Sequence, residues 1–298
     1  MWGQIFDCLT AKGTEPMRSV KSLIAAGAAT LFSTIAFAAD LPIAPPPMYA
    51  PPPEDPSGWY LRGDIGFSNQ SFRRLSINDP AINAGVNPGS FTETSSVDSG
   101  GIFDVGVGYR FNDWFRADVI GQYRGKAGFK AVDLFTTNSA FGTAPVVDTY
   151  AGSKSEFLFL ANAYVDLGTW WNVTPFIGAG VGASRVTISN FADVSLISPT
   201  FGGGPGVAYA LTGSQWNFAW AGHAGLAYRV NRALTLELGY SYVDLGNGTT
   251  GRSAAYDSPL SPYVFKVEHI TSHDLKLGVR WNLDNPPPPP MPTYIRKG

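Results

Sequence analysis

Cysteine is almost missing: the 298 residues contain one, Cys8. A chain that begins at or beyond Ala39 therefore has no disulfide framework, no Fe–S cluster and no cysteine-zinc site. Charge is sparse at 15% of residues, and the net charge of −2 points to neither a nucleic-acid partner nor an acidic ligand. Histidine occurs three times, at His223, His269 and His273. Beyond Asp40 no stretch reaches the ~18 apolar residues expected of a spanning helix. Glycine (34 residues) and aromatic side chains (13%) are plentiful, and mean hydropathy is −0.01. That mixture suits half-apolar strands joined by polar links.

Eight such segments can be read: Trp59–Phe67, Gly101–Phe111, Trp114–Lys126, Glu156–Leu167, Thr174–Ser189, Phe218–Val230, Ala233–Tyr242 and Ser272–Leu283. The links after the second, fourth and sixth are tiny: Asn112-Asp113, the stretch Gly168–Val173, and Asn231-Arg232. The other links are long: Ser68–Ser99, Ala131–Ser155, Asn190–Asn217 and Gly246–Phe265. Short turns at one end and long loops at the other are the pattern of an outer-membrane barrel.

Within a segment, apolar and polar residues alternate, so each strand has one apolar and one polar wall. Phe115, Ala117, Val119 and Tyr123 oppose Arg116, Asp118, Gln122 and Arg124; Leu275, Leu277, Val279 and Trp281 oppose Asp274, Lys276 and Arg280. Segment five is small on both faces around Gly178–Ser184 and has no clear orientation. An arginine facing lipid at the bilayer midplane costs roughly 2–4 kcal/mol, so the charged walls are expected to face inward. The expected lumen holds Arg62, Arg110, Arg116, Arg124, Arg185, Arg229, Lys276 and Arg280 against Asp64, Asp104, Asp118, Asp166, Glu237 and Asp274. Near-balance in a tube of about eight strands predicts a salt-bridged plug. Trp59-Tyr60, Phe111, Trp114, Trp170-Trp171, Tyr228 and Trp281 cluster near the short turns, as an interfacial girdle does.

The ends carry other signals. Arg18 and Lys21, the apolar Leu23–Ile35 and Ala36-Phe37-Ala38 read as a signal peptide over 17–38, cleaved after Ala38. Residues 1–16 sit awkwardly before it and read as an upstream extension, with Met17 as initiator; a long natural n-region is the alternative. A proline-rich periplasmic linker follows over 39–57, and a second proline-rich tail covers 284–298. The barrel is expected over 58–283.

Gly108-Tyr-Arg-Phe-Asn-Asp-Trp-Phe-Arg-Ala-Asp118 resembles the small outer-membrane β-barrel proteins of α-proteobacteria, related to the opacity-type surface proteins and the OmpA-like transmembrane barrel. Gly58–Gly66, Pro175–Gly182 and His273–Trp281 resemble the same family, and the likeness covers roughly Gly58–Leu283. It implies an all-β fold: a closed antiparallel transmembrane β-barrel of eight strands in the cell outer membrane of a Gram-negative cell. A ten-stranded version follows if the first and fourth loops hide another pair. The implied partners are outer-membrane lipid and lipopolysaccharide, the outer-membrane assembly machinery and a host or surface ligand at the loops. Such barrels commonly end on an aromatic residue; the proline-rich tail departs from that, which sets aside the usual C-terminal recognition but not the barrel.

No catalytic, cofactor-binding or metal-binding residues are assigned. His269 and His273 stand at i and i+4, ~13 Å apart on a strand, too far to share a metal. His223 is placed in the lumen as a hydrogen-bonded side chain. Gly202–Gly206 lacks the Lys-Ser/Thr of a phosphate loop and reads as flexible backbone. A structural or adhesive surface protein leads, with a narrow porin and a lipid-modifying barrel enzyme as alternatives. Conductance, loop-dependent binding and altered lipid A would tell them apart.

Overall fold

The computed structural model describes residues 57–256, 259–260 and 262–283. Cys8, the leader, almost all of the linker and the tail lie outside them. The elements run β1 (Gly58–Ile77), α1 (Pro80–Gly85), β2 (Thr92–Val97), β3 (Gly100–Arg110), β4 (Phe115–Ser139), β5 (Gly142–Asp166) and β6 (Val173–Ile197). After a short 3₁₀ turn come β7 (Pro205–Ala210), β8 (Gly213–Arg229), β9 (Leu234–Thr249), β10 (Ser253–Ala255) and β11 (Phe265–Asn282). Eight of these strands close an antiparallel ring in the order β1, β3, β4, β5, β6, β8, β9, β11 and back to β1. That fixes the count at eight rather than ten.

The three short turns have local causes. Asn112 Oδ1 accepts from the N–H groups of Trp114 (3.0 Å) and Phe115 (2.8 Å). Asn231 Oδ1 does the same for Ala233 (2.9 Å) and Leu234 (2.8 Å). Both asparagines turn the chain with their own side chains. Between β5 and β6, Trp170 and Val173 exchange both backbone bonds at 2.9 Å while Trp171 and Asn172 take φ of 51° and 66°. Two positive φ values at the centre of such a link match the twist of a tight hairpin.

Along the lower wall the alternation holds. Trp59, Leu61, Ile65 and Phe67 of β1 face outward and Asp64 faces inward. The apolar outward run Trp59–Phe67 has the ~9–11 residues that a tilted membrane strand needs. Segment five is now oriented: Ile177, Ala179, Val181 and Ala183 point outward, Phe176 and Ser184 inward. Two expectations fail. Arg185 points outward, because Val186 and Ser184 take the inward positions on either side of it. Tyr60 is fully buried, its hydroxyl bonded to Asp118 at 3.1 Å, and belongs to the lumen rather than the girdle.

The long links are corrected as well. Most of Ala131–Ser155 is strand, the continuation of β4 and β5, and much of Ser68–Ser99 and Asn190–Asn217 is strand too. A phase change separates the halves. Register shifts fall between Arg124 and Ala127, between Ala151 and Ser153 opposite Asn190 (φ 53°), and near His269 (φ 54°). Each bulge adds a residue and swaps which parity faces in. On β4 the inward residues pass from Arg116, Gln122 and Arg124 to Ala127, Phe129 and Ala131. On β11 they pass from Asp274 and Ser272 to Ile270, Val267 and Phe265.

Above this level the ring opens along two seams. Pairing of β1 with β3 stops at Ser68 opposite Gly100, and that of β8 with β9 at Trp220 opposite Asp244. What continues is a cap of two facing sheets. One is β2–β4–β5–β6–β7–β10, the other β1–β11–β9. Phe129, Tyr150, Val186, Ile188 and Phe191 from the first pack on Phe72, Leu75, Leu245, Phe265, Val267 and Ile270 from the second. Ring contacts cross the gap: Phe72–Phe129 at 5.9 Å, Tyr150–Phe265 at 5.9 Å and Phe191–Phe265 at 4.5 Å. The cap thus has the inside-apolar order of a soluble sandwich, and the wall below it has the inverse.

Candidate functional site

The lumen is the feature that needs most explanation, because buried charges are expensive unless paired. Arg62 of β1 meets Asp64 at 2.7 Å, Asp118 of β4 at 2.9 Å and the Tyr164 hydroxyl of β5 at 3.0 Å. Asn162 Nδ2 donates to the other Asp118 oxygen at 2.8 Å. Arg116 pairs with Asp166 at 3.2 Å, and its guanidinium lies 4.3 Å from the Tyr164 ring and 4.8 Å from Phe176. Arg280 meets Glu237 at 2.8 Å. Further from the short turns, Lys276 and Gln122 both reach Asp104, at 3.3 and 2.8 Å. The last polar layer joins Arg124 of β4 to Asp274 of β11 through two bonds of 3.0 and 2.5 Å, with Ser272 beside them. Lys154–Glu156 (2.6 Å) lies in the same region, with Gln70 donating to Glu156 at 3.3 Å.

Of the expected inward charges, all but Arg185 line the lumen or its mouth, and Arg110 and Arg229 stand at the short-turn rim. Lys154 and Glu156 went unread as a lumen pair, although Lys154-Ser-Glu156 places two opposite charges on one face at i and i+2. His223 lies among these groups, Nδ1 against Ser241 at 2.8 Å and Nε2 against Asn162 at 3.1 Å, so both ring nitrogens are engaged. His269 and His273 are not brought together: the former sits at the bulge 3.7 Å from Asp244, the latter outside, 2.7 Å from the Tyr240 hydroxyl.

The cap holds a different cluster. Asp133 of β4, Asp148 of β5 and Asp193 of β6 stand on neighbouring strands above the apolar wall, each with one oxygen buried and unbonded. Burial, then Glu93 and Asp148, push Asp133 up to about 7; burial, then Asp148 and Asp133, push Asp193 up to about 7. Burial raises Asp148 also. The other groups facing them are Tyr150, whose hydroxyl donates to Asp148 at 3.3 Å, Ser195 on β6, and Arg74 on β1. A carboxyl raised above its ordinary 3.8 on folding stabilises fully below that value and loses the benefit as pH climbs to about 7. Amide exchange in β4–β6 above the bulges, corrected for intrinsic rate, should therefore be several-fold slower at pH 5 than at pH 8. Asp133→Asn should flatten the difference; equal protection at both pH values would refute it.

An apolar-walled ring with an ion-paired lumen, tight turns and aromatics at one end and a tall strand-built cap at the other defines an integral β-barrel protein of the cell outer membrane. The chain belongs to the outer membrane protein beta-barrel domain family, whose model matches residues 24–282. It is 32% identical over 282 residues to an uncharacterized protein of Brucella suis, covering 83% of this chain and 92% of that protein. A candidate adhesin of Rickettsia bellii is 26% identical over 233 residues, covering 76% of this chain and 88% of the relative. The solved structure of Neisserial surface protein A is similar over 76% of this chain and 99% of that one, with 17% identity and a TM-score of 0.39.

Proposed function

We propose that this protein is a sealed surface barrel that acts through its extracellular cap, as an adhesive or envelope-structural protein, with no catalysis of its own. The observation that carries the reading is the order of the interior: paired charges across the membrane level, then an apolar core between two sheets. A solute path would have to cross both. The cap also offers a contact surface. On its outer face Leu134, Val147, Leu196 and Pro205 pair side by side across β4, β5, β6 and β7, with Val194 and Tyr209 close by and half-exposed. A polar belt that includes Lys126, Lys130, Ser153, Ser155, Thr187 and Ser214 separates this patch from the lipid-facing wall. Exposed apolar surface away from lipid commonly marks a contact site. The adhesin name of the Rickettsia bellii relative supports the same reading.

Planar-bilayer recording of the folded protein tests it, with folding checked by the gel shift between boiled and unboiled samples. Silence is expected. Steady single-channel steps would replace the sealed barrel with the narrow-porin reading. On the adhesive side, Leu196→Glu should reduce cell or matrix binding several-fold while leaving the gel shift intact.

A further inference from the structure

At the lumen's extracellular side charges match one to one: Arg124 with Asp274, Lys154 with Glu156, Lys276 with Asp104. At the periplasmic mouth they do not. Glu237 is shared by Arg280 at 2.8 Å and, at 3.5 Å each, by Arg62 and Arg116, of which Arg62 is held closer by Asp64 and Asp118. Asp166 already takes Arg116 at 3.2 Å. Arg110 and Arg229 form no ion pair with a described carboxylate, yet both line the same partly open recess as Arg280. Asp113 and Asp166 are the recess's only carboxylates among the described residues. Of the recess's own guanidinium groups, Nε of Arg110 and Nε of Arg280 are buried without a hydrogen-bond acceptor. Arg280 itself is 3% exposed. Thr174 and Thr235 add hydroxyls to the same wall.

We infer that this mouth binds a phosphate group. Guanidinium forks fit tetrahedral oxyanions by paired N–H bonds, and the hydroxyls supply further donors. A phosphate offers more acceptor oxygens than a carboxylate and so suits several donors that converge on one recess. The group could arrive as free inorganic phosphate or on the headgroup of a periplasmic-leaflet phospholipid; the chemistry is shared. The site is independent of the cap and of the sealed-barrel reading.

The test has two arms on the full folded chain. In a maltoside micelle at low salt, inorganic phosphate is titrated calorimetrically against the parent, Arg229→Gln, Arg110→Gln and, as a control on the outer face of β1, Arg73→Gln. In the second arm, protein exchanged into bilayers of phosphatidylcholine with phosphatidylglycerol is examined for retained lipid by native mass spectrometry. Phosphate binding weakened at least tenfold by the first two variants and unchanged in the control assigns free anion. Phosphate silence with phosphatidylglycerol held by the parent and lost by the variants assigns the headgroup. No binding in either arm, or binding that the variants leave unchanged, overturns the site. Arg229 stands exposed at the rim, so Arg229→Gln decides the question if Arg110→Gln fails to fold.

Discussion

Arg124→Ala should unfold in urea well before the parent, at a cost of about 3–5 kcal/mol. The side chain is fully buried and its guanidinium holds both oxygens of Asp274 from the far wall of the ring. Removing it leaves Asp274, itself 1% exposed, with a charge that water cannot reach, the Ser272 hydroxyl as its bonded neighbour, and a Lys154 ammonium nearby that is already paired with Glu156. The expected loss is therefore mostly the desolvation of the orphaned carboxylate rather than the worth of the pair. That distinction is testable in the same series. Arg124→Met combined with Asp274→Leu removes both charges and should recover most of the loss, because well-packed apolar pairs often replace buried ion pairs without penalty. Arg116→Ala should cost less than Arg124→Ala, since Glu237 retains Arg280 and Arg62 when Arg116 goes, and Asp166 stands in the rim recess beside Arg110. An Arg124→Ala barrel with an unchanged urea midpoint would mean that the lumen is wet enough to screen these charges.

The membrane-level wall was legible because two constraints act on every residue there. Lipid outside and a narrow tube inside force strict alternation, so Arg116 opposite Val119, or Lys276 opposite Leu277, already states the direction of each side chain. The expected boundaries fell where that alternation broke. At Lys126, Ser189 and Ser272 the pattern does not end; it shifts parity at a bulge and its polarity inverts, since above the lipid the apolar face belongs inside. Read with a fixed parity, the stretch Ala131–Ser155 looks like a polar loop, while in the fold Ala131, Tyr150 and Val146 are cap core. Arg185 misled because the small residues of its segment gave no orientation: it points outward between Phe157 and Trp216, at the upper edge of the apolar wall and one row below Ser155, Thr187 and Ser214. Tyr60 misled differently. Its neighbour Trp59 does stand in the girdle, but adjacent residues on a strand face opposite ways, and the Tyr60 hydroxyl finds its partner in Asp118. The mouth's excess of arginine could be counted in advance; which carboxylates were already committed to Arg62 and Arg116 could not, because that depends on reach across the ring.

Phe191→Ala separates the two halves of the molecule. Phe191 falls in the stretch Asn190–Asn217 that the sequence presents as a long link; it is 2% exposed, between Phe265 at 4.5 Å, Tyr150 at 6.0 Å and Phe129 at 6.2 Å. It reaches that position only because Asn190, at φ 53°, adds the residue that brings position 191 to the inner face after Ile188. Truncating a buried phenylalanine costs about 3–5 kcal/mol, through lost transfer energy and the cavity left behind. Here the loss falls on a two-sheet cap whose seams carry few backbone bonds, so the cap should open locally. The ring below is closed by continuous hydrogen bonding and tied by cross-lumen ion pairs that do not involve Phe191. The expected variant keeps the gel shift of a folded barrel and loses protease resistance in β4–β7 above the bulges. Adhesion should fall with it, while bilayer recordings stay silent because the charged layers still block the lumen. Loss of the gel shift itself would show that cap and ring fold as one unit, and that the apolar core above the membrane is a condition for closing the barrel within it.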